Sequence, residues 1–376
     1  MHKKILREYI KYLEGIIMNQ HTRFNLPFCL AVEDDAFSRA QEIVEVYLPE
    51  IEGQKTLIVS EPFLIETYKE KIEILKKDFD GADVYSMGNA TYDEAVKIAK
   101  MISVEDYKVV VGIGGGRVLD TTKYAAHVSK ALYICLPTTL SNDSLASPFS
   151  VLEMEGAHRK TLPCKIPAAI VVDTDMIRNA PIGQTLSGIG DTLAKHTALF
   201  DWKLAAEKEG KHVDDFAYAI ARMSYDSVFH CDEKDMKSRV FIRILSRALV
   251  MGGLAMEIAG SSRPCSGSEH LFCHALEEYY PQVKISHGIG VALGSIGACI
   301  FQGRDEEQLI KVMNTYGIDL NPESYGITKD IFADAWQKAS GTRPGRISVL
   351  DDIALERSWL DEIYDIMKEK GGKKSE

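Results

Sequence analysis

The sequence lacks any long apolar run. No stretch of its 376 residues approaches the roughly 20 consecutive apolar side chains that a membrane-spanning helix needs. The first 20 residues, MHKKILREYIKYLEGIIMNQ, carry charges throughout and therefore lack the apolar core of a signal peptide. These absences argue against insertion into a membrane and against export, and we expect a cytoplasmic protein.

Basic blocks and closely spaced cysteines are missing as well. The formal net charge is −11 and the only short basic cluster lies in the tail GGKKSE, so neither nucleic acid nor a membrane surface is an expected partner. The seven cysteines are scattered singly without a CxxC pair, which argues against a disulfide framework or a zinc finger and indicates a reducing compartment. A small anionic substrate stays compatible with this chain, since a basic pocket can be local.

The first half of the chain alternates apolar strands with helices. Strands are predicted at 27–33, 56–60, 82–86, 108–113, 132–136 and 168–173, and helices at 36–48, 62–78, 92–102 and 117–128. This alternation predicts βαβ units on a parallel sheet, and strands that are apolar on both sides predict helices on both faces. Residues 150–165 form either a hairpin or a loop, and residues 1–22 are predicted as an amphipathic helix.

Helical periodicity dominates from about Pro181 almost to the end of the chain. Pro181 and Gly183 therefore mark a predicted domain boundary. The sequence predicts an α/β nucleotide-type domain over residues 1–181, including a helical extension at 1–25, and an all-helical domain over residues 182–376.

Three histidines lie in the stretch 252–297, which is rich in glycine and serine. His270 and His274 are four residues apart in a segment of helical periodicity, so both imidazoles project from one face of one helix. His287 follows in a glycine-rich turn that opens another helix. Two imidazoles joined in this way suit a divalent metal with an open position for substrate, whereas ordinary surface or core histidines are the alternative. Asp191, predicted near the start of a helix, can complete an Asp/His/His set or merely complement the helix dipole.

A glycine cluster, GIGGGRVLD, follows the predicted strand 108–113 and opens a helix. Gly114, Gly115 and Gly116 would let a phosphate approach the backbone, where the helix N-terminus offers free N–H groups. A tight turn without a ligand is the alternative. Asp120 and Lys123 lie one turn further into the helix, where they either help to shape this site or occupy the surface.

Polar side chains also follow two other strands. In LPTTLSNDSLASPF, hydroxyl groups crowd together with Asn142 and Asp143 at a strand end, where ligands bind in open α/β sheets. A capped turn explains the same residues equally well. Glu61 directly follows the strand TLIVS, where an acid can accept hydrogen bonds from the ribose of NAD and would repel the 2′-phosphate of NADP. Its alternative role is to cap the helix that begins at Pro62.

Several long segments together give a specific signal. They are GIGGGRVLDTTKYAA, LPTTLSNDSLASPFSV, VVDTDMIRNAP, GIGDTLAKHTALFDWKLA and EIAGSSRPCSGSEHLFCHAL. In order and spacing, from about residue 25 to residue 300, they resemble the sn-glycerol-1-phosphate dehydrogenase family, part of a superfamily with iron-containing alcohol dehydrogenases and dehydroquinate synthases. The resemblance implies an α/β Rossmann-like dinucleotide-binding N-terminal domain plus an all-helical, metal-binding C-terminal domain, with the active site in the cleft between them.

The resemblance also implies roles for individual residues. The ligands of one divalent metal are expected at Asp191, His270 and His287, with zinc as the expected ion and iron or nickel as alternatives. Contacts to the pyrophosphate of NAD, or of NADP, are expected at Gly114, Gly115 and Gly116, and further cofactor contacts at Thr138, Thr139 and Ser141. Asp143 resembles a catalytic and substrate-binding residue, and His274 resembles a second active-site histidine.

Two departures from the family pattern flank the substrate side of the cleft. Asn142-Asp143-Ser144 stands where the family commonly has His-Asp-Gly, and Gly288-Ile289-Gly290 stands where it commonly has Gly-Glu-Gln. For a substrate phosphate, Arg263 is the predicted ligand, because the proline after it favours an extended loop and a guanidinium suits phosphate. Arg159 and Lys160 are alternatives, and Arg263 can instead pair with an acid and brace the loop.

We therefore expect a metal-dependent NAD(P)H oxidoreductase that reduces dihydroxyacetone phosphate, or a similar phosphorylated ketose, to the alcohol. One alternative is a dehydrogenase of glycerol or another unphosphorylated polyol. The other is a cyclase like dehydroquinate synthase, which uses NAD transiently. The small substrate is the expected partner, and the chain is expected to form a homo-oligomer.

Overall fold

The computed structural model describes residues 24–155 and 159–371, so the helix predicted at 1–22 lies outside the described residues. Six strands form one parallel sheet in the order β1-β8-β5-β4-β2-β3. They are β1 (Cys29–Glu33), β2 (Thr56–Ser60), β3 (Asp83–Ser86), β4 (Val109–Gly114), β5 (Leu132–Pro137) and β8 (Ala169–Asp173). All residues of β2, β4 and β8 are buried, because helices cover both faces of the sheet as the apolar strands predict.

Six helices belong to this first part of the chain. They are α1 (Ala40–Glu45), α2 (Pro62–Thr67), α3 (Lys69–Asp78), α4 (Tyr92–Val104), α5 (Gly116–Ser129) and α6 (Thr174–Asn179). The predicted helices at 92–102 and 117–128 are confirmed to within two residues at each end.

Two helix predictions were wrong in extent. The helix predicted at 36–48 reduces to α1, because Asp35 takes a positive φ of 50° and the backbone N–H of Phe37 donates to Asp173 Oδ2 at 3.1 Å. The helix predicted at 62–78 is broken at Tyr68, whose φ of −110° and ψ of 26° are not helical. Tyr68 packs against Phe37 with 6.1 Å between ring centroids. Tertiary contacts thus override the helical periodicity at both places.

The segment 150–165 forms a hairpin, which decides between the two alternatives. β6 (Phe149–Glu153) pairs antiparallel with β7 (Arg159–Pro163) in a separate two-stranded sheet. The hairpin lies against α5, where the N–H of Val151 donates to Asp120 Oδ2 at 3.1 Å.

Helices make up the second part of the chain, and no strand follows Asp173 in the described residues. They are α7 (Ile182–Leu193), α8 (Lys195–Glu209), α9 (Asp215–Phe229), α10 (Arg239–Ala259), α11 (Ser268–Tyr279), α12 (His287–Phe301), α13 (Glu306–Thr315), α14 (Lys329–Lys338) and α15 (Arg357–Lys370). One apolar core runs from the sheet into these helices and includes Val110, Leu245 and Trp336. The predicted domain boundary at residue 181 stays a prediction. No described helix is both long and apolar enough to cross a lipid bilayer.

Candidate active site

A close crossing of α7 and α12 brings Asp191 next to His287. Glycines make this crossing possible: a Cβ added to Gly190 would stand 2.3 Å from the carbonyl oxygen of Gly288. A Cβ added to Gly288 would stand 1.8 Å from the carbonyl oxygen of Ser187. No side chain fits between the two backbones, so the glycines fix how near the two flanking polar residues come.

Asp191 lies in the last turn of α7, which corrects the prediction that it stands near the start of a helix. The glycines before it suggested a helix start, but α7 already begins at Ile182 and runs through them. No side chain fits at Gly188 either, since an added Cβ would stand 2.0 Å from the carbonyl oxygen of Leu140. The negative end of the helix dipole disfavours a carboxylate here, so the alternative in which Asp191 merely complements a helix N-terminus is wrong.

Three candidate metal-binding atoms converge at this crossing. One ligand atom from each of Asp191, His270 and His287 lies within 4.8 Å of the other two. Nε2 of His270 is 3.7 Å from Oδ1 of Asp191, and the rings of His270 and His287 are 5.3 Å apart between centroids. A separation of 3.7 Å is too long for a hydrogen bond. It suits two ligands that each lie about 2.0–2.2 Å from one ion.

Each of these histidines turns its other nitrogen to a glutamate that sequence reasoning missed. Nδ1 of His270 lies 2.8 Å from Oε1 of Glu269, and Nδ1 of His287 lies 3.2 Å from Oε1 of Glu277. Glu269 is fully buried, and its Oε2 accepts a hydrogen bond from the Thr197 hydroxyl at 2.8 Å. A carboxylate at Nδ1 fixes the tautomer in which Nε2 is free to bind a metal. The donor set of the chain therefore fits a divalent ion.

A buried lysine, also missed, places a positive charge beside two carboxylates. Nζ of Lys195 lies 3.6 Å from Oδ2 of Asp143 and 4.0 Å from Oδ2 of Asp191. Gly252 leaves room for it, since a Cβ there would stand 2.8 Å from Cε of Lys195. Lys195 is four residues after Asp191, a helical spacing that could have identified it from the sequence.

The surroundings shift the pKa values of Asp191 and Asp143 in opposite directions. Burial opposes the charge of Asp191, but Lys195 and His270 outweigh burial and lower the pKa of Asp191 to about 2. Burial, followed by the neighbouring Asp191, raises the pKa of Asp143. The backbone N–H of Asp143 donates to Oδ2 of Asp191 at 3.2 Å. Asp191 is therefore held as the carboxylate that a metal ligand must be, with Asp143 directly beside it.

His274 projects from the same helix face as His270, as predicted, and lies 6.0 Å from His287 between ring centroids. Its Nδ1 faces Oε2 of Glu277 at 3.7 Å. Its Nε2 is buried and has no hydrogen-bond partner among the described residues. Burial, reinforced by Arg343, outweighs Glu277 and lowers the pKa of His274 to about 4, so the ring is neutral at pH 7.

The glycine cluster lies at the junction of β4 and α5. Gly114 ends the strand, Gly115 precedes the helix and Gly116 is its first residue. None has a positive φ, so a strained tight turn does not explain them. Lack of space explains two of them. A Cβ on Gly114 would stand 2.5 Å from the Val118 side chain, and a Cβ on Gly116 would stand 3.1 Å from Ser144 Oγ. No side chain caps the helix, which leaves its first N–H groups free for an anion.

The other predicted cofactor contacts lie at the same edge of the sheet. Thr138 directly follows β5 and is buried, Ser141 is half-buried in the same loop, and Oγ1 of Thr139 lies 3.4 Å from where a Cβ of Gly115 would be. Glu61 follows β2, the neighbour of β4. It occupies the N-cap position of α2 but its side chain makes no capping hydrogen bond, and its contact with the ribose stays a prediction.

Asp120 and Lys123 form a buried pair, so the expectation that they occupy the surface is wrong. Nζ of Lys123 donates to Oδ1 of Asp120 at 2.9 Å and to the Ser144 carbonyl at 2.8 Å, and both side chains are buried. Oδ2 of Asp120 accepts from Val151. Both oxygens of Asp120 thus have internal partners, and the role of the pair in shaping the cofactor site stays a prediction.

Arg263 makes a bracing contact, and its predicted role as phosphate ligand stays a prediction. Its Nη1 donates to the carbonyl oxygen of Ile347 at 2.5 Å, so the brace is a backbone contact and not the expected acid. Arg159 pairs with Glu277, with 3.2 Å between Nη1 and Oε2, and Lys160 is exposed.

Comparisons with known proteins point to one family. The family model of iron-containing alcohol dehydrogenases matches residues 32–181. A glycerol-1-phosphate dehydrogenase (NAD(P)+) from Sulfurisphaera tokodaii is 35% identical over 84% of this chain and 89% of its own. One from Sulfolobus acidocaldarius is 34% identical over 80% and 88%.

A solved structure confirms the predicted fold class. Glycerol dehydrogenase from Schizosaccharomyces pombe superposes with a TM-score of 0.74 at 20% identity, covering 94% of this chain and 92% of that chain. At that identity the likeness concerns the fold alone. The two relatives carry the assignment further, and the chain belongs to the glycerol-1-phosphate dehydrogenase family of iron-containing alcohol dehydrogenases, as its sequence segments predict.

Proposed function

We propose that this protein reduces dihydroxyacetone phosphate to sn-glycerol 1-phosphate, or a similar phosphorylated ketose to the corresponding alcohol, with NAD(P)H and a divalent metal. The observation that carries the proposal is the convergence of Asp191, His270 and His287 beside the buried Lys195–Asp143 pair. The relatives named glycerol-1-phosphate dehydrogenase support this activity over the polyol dehydrogenase and cyclase alternatives. Zinc suits an Asp/His/His set, and iron or nickel are the alternatives.

When both are bound, the metal polarises the substrate carbonyl and the nicotinamide supplies the hydride. The side chains of the chain prepare this chemistry. Glu269 and Glu277 hold the two histidines in their metal-binding tautomers. Lys195 keeps Asp191 ionised, and His274, with its unpartnered Nε2, is the candidate residue of a relay that brings a proton from water to the substrate oxygen. The glycine cluster before α5 would hold the pyrophosphate.

A substrate panel followed at the NADH absorbance tests the proposal. We expect net oxidation of NADH with dihydroxyacetone phosphate and formation of sn-glycerol 1-phosphate in equal amount. Preferential turnover of dihydroxyacetone or glycerol would establish the polyol dehydrogenase instead. Consumption of a phosphorylated substrate without net change in NADH would establish the cyclase.

Glu61→Ser should narrow a preference for NADH over NADPH. Removing the carboxylate should remove roughly 1–2 kcal/mol of repulsion between Glu61 and the 2′-phosphate of NADPH. The value of kcat/KM for NADPH should therefore rise about tenfold relative to that for NADH. Glu66→Ser is the matched control, since Glu66 is exposed on the following helix α2. Equal kcat/KM for the two cofactors in the unmodified enzyme would contradict the role of Glu61.

A further inference from the structure

Three arginines gather at the loop that leads into α11. Nη1 of Arg346 donates to Oγ of Ser262 at 3.0 Å, and Nη1 of Arg343 reaches the same oxygen at 3.5 Å. Arg263 follows Ser262 in the chain and contacts the carbonyl of Ile347, the residue after Arg346. Two hydrogen bonds to one hydroxyl and one to the adjoining backbone thus hold three guanidinium groups together.

Among the described residues, none of these three arginines forms an ion pair. Glu269 and Asp201 act on Arg346 only from a longer distance and do not prevent burial from lowering its pKa. Nε of Arg346 is buried and makes no hydrogen bond within the described structure. Burial, together with Arg343 and Arg263, lowers the pKa of Arg346 to about 9. Like charges held together away from water are costly unless an anion binds them.

The arginines lie on the His274 side of the candidate metal site. Arg159 of β7 pairs with Glu277, whose Oε2 lies 3.7 Å from Nδ1 of His274, and the same helix carries His270. Nη2 of Arg343 donates to the Thr161 hydroxyl of β7 at 3.1 Å. Nη2 of Arg346 donates to the carbonyl of Ser266, two residues before α11 begins. An anion bound here would therefore lie between the β6–β7 hairpin and the helix that carries the ligand histidine.

We infer that Arg343 and Arg346 bind the phosphate group of the substrate, with Arg263 as the residue that holds their segment in place. The inference rests on the proposed function for the identity of the molecule that carries the phosphate. Guanidinium groups present paired N–H donors that match phosphate oxygens, and Nε of Arg346 is a buried donor without a partner in the described structure. A phosphorylated ketose would place its phosphate here and its carbonyl at the metal ligands. An unphosphorylated ketose would leave both charges unneutralised.

The kinetic test uses Arg343→Ala, Arg346→Ala and the double variant, with Arg222→Ala as the matched control. Arg222 pairs with Asp226 on α9. Removal of either guanidinium should raise KM for dihydroxyacetone phosphate about 10- to 100-fold, because the phosphate loses a charged hydrogen-bond donor. The values of kcat and KM for dihydroxyacetone should not change. If the arginines only stabilised the fold, their removal would impair the turnover of dihydroxyacetone as well. An equal loss of activity toward both substrates would overturn the inference. Arg343→Lys and Arg346→Lys, which keep the charge but not the fork, provide the same test if an alanine variant does not fold.

A binding measurement separates this inference from the proposed reaction. Titration calorimetry of inorganic phosphate into the metal-loaded protein should give an affinity about 10- to 100-fold weaker in the double variant than in wild type and Arg222→Ala. Equal phosphate affinity in all three would overturn the inference even if wild type reduces dihydroxyacetone phosphate. Arginine-dependent phosphate binding by a protein that reduces no phosphorylated ketose would overturn the proposed function and leave the phosphate site standing.

Discussion

His270→Ala is expected to release the metal and to lower kcat/KM for dihydroxyacetone phosphate by about 10³-fold or more, the scale of losing a main transition-state stabiliser. His270 supplies one of the three converging ligand atoms, and Glu269 already orients its ring for that purpose. The remaining aspartate and histidine would hold an ion weakly. Metal content after exhaustive dialysis and the rate of NADH oxidation, measured on the same preparation, check both parts of the prediction.

The matched control is His212→Ala, since His212 is an exposed histidine in the loop before α9. It should retain full metal content and activity. Thermal unfolding of the metal-free forms shows whether His270→Ala keeps the fold. If zinc is the bound ion, X-ray absorption of the wild type should give Zn–N distances of about 2.0–2.1 Å. A His270→Ala protein with undiminished metal and activity would refute the ligand assignment.

Gly288→Ala is expected to lower the free energy of unfolding by about 3 kcal/mol or more, the upper range for overpacking. Its Cβ would stand 1.8 Å from a backbone oxygen, that of Ser187, which cannot move as the end of a flexible side chain can. The two helices must separate, and Asp191 then moves away from His287. The denaturant concentration at which the protein unfolds and its metal content should therefore fall together.

Gly183→Ala provides the control within the same pair of helices. Gly183 lies in α7 with nothing within 4 Å of an added Cβ, and alanine favours a helix over glycine by up to about 1 kcal/mol. This variant should be as stable as wild type or more so. A Gly288→Ala protein that unfolds at the same denaturant concentration as Gly183→Ala would show that the crossing relaxes without cost.

The fold could be predicted wherever one local pattern decided the outcome. Continuous apolar strands predicted the parallel sheet, because a strand buried on both sides needs no information from elsewhere in the chain. The prediction failed where distant residues decided. Asp173 accepts a hydrogen bond from the backbone N–H of Phe37. The backbone oxygens of Leu140 and Gly288 leave no room for side chains at Gly188 and Gly190 of α7.

The site shows the same limit. The helical spacing of His270 and His274 was sufficient to place both on one face, and the resemblance supplied Asp191 and His287. The residues that hold and balance these side chains come from other parts of the chain, and a single sequence does not reveal such pairings. For the phosphate, the proline after Arg263 favoured that residue, whereas the arginines that we infer bind the phosphate come from TRPGR near the C-terminus, a turn that carries two arginines.

The three candidate ligands belong to three separate helices, α7, α11 and α12, and the unfolded chain contains no preformed site. An ion bound at all three would act as a removable cross-link between distant segments of the chain. At a free metal concentration 100 times its Kd, such binding adds about 2.7 kcal/mol to the free energy of unfolding. The heat tolerance of this protein would then follow the metal supply of the cell, and a cell starved of the ion would lose the folded protein along with its activity.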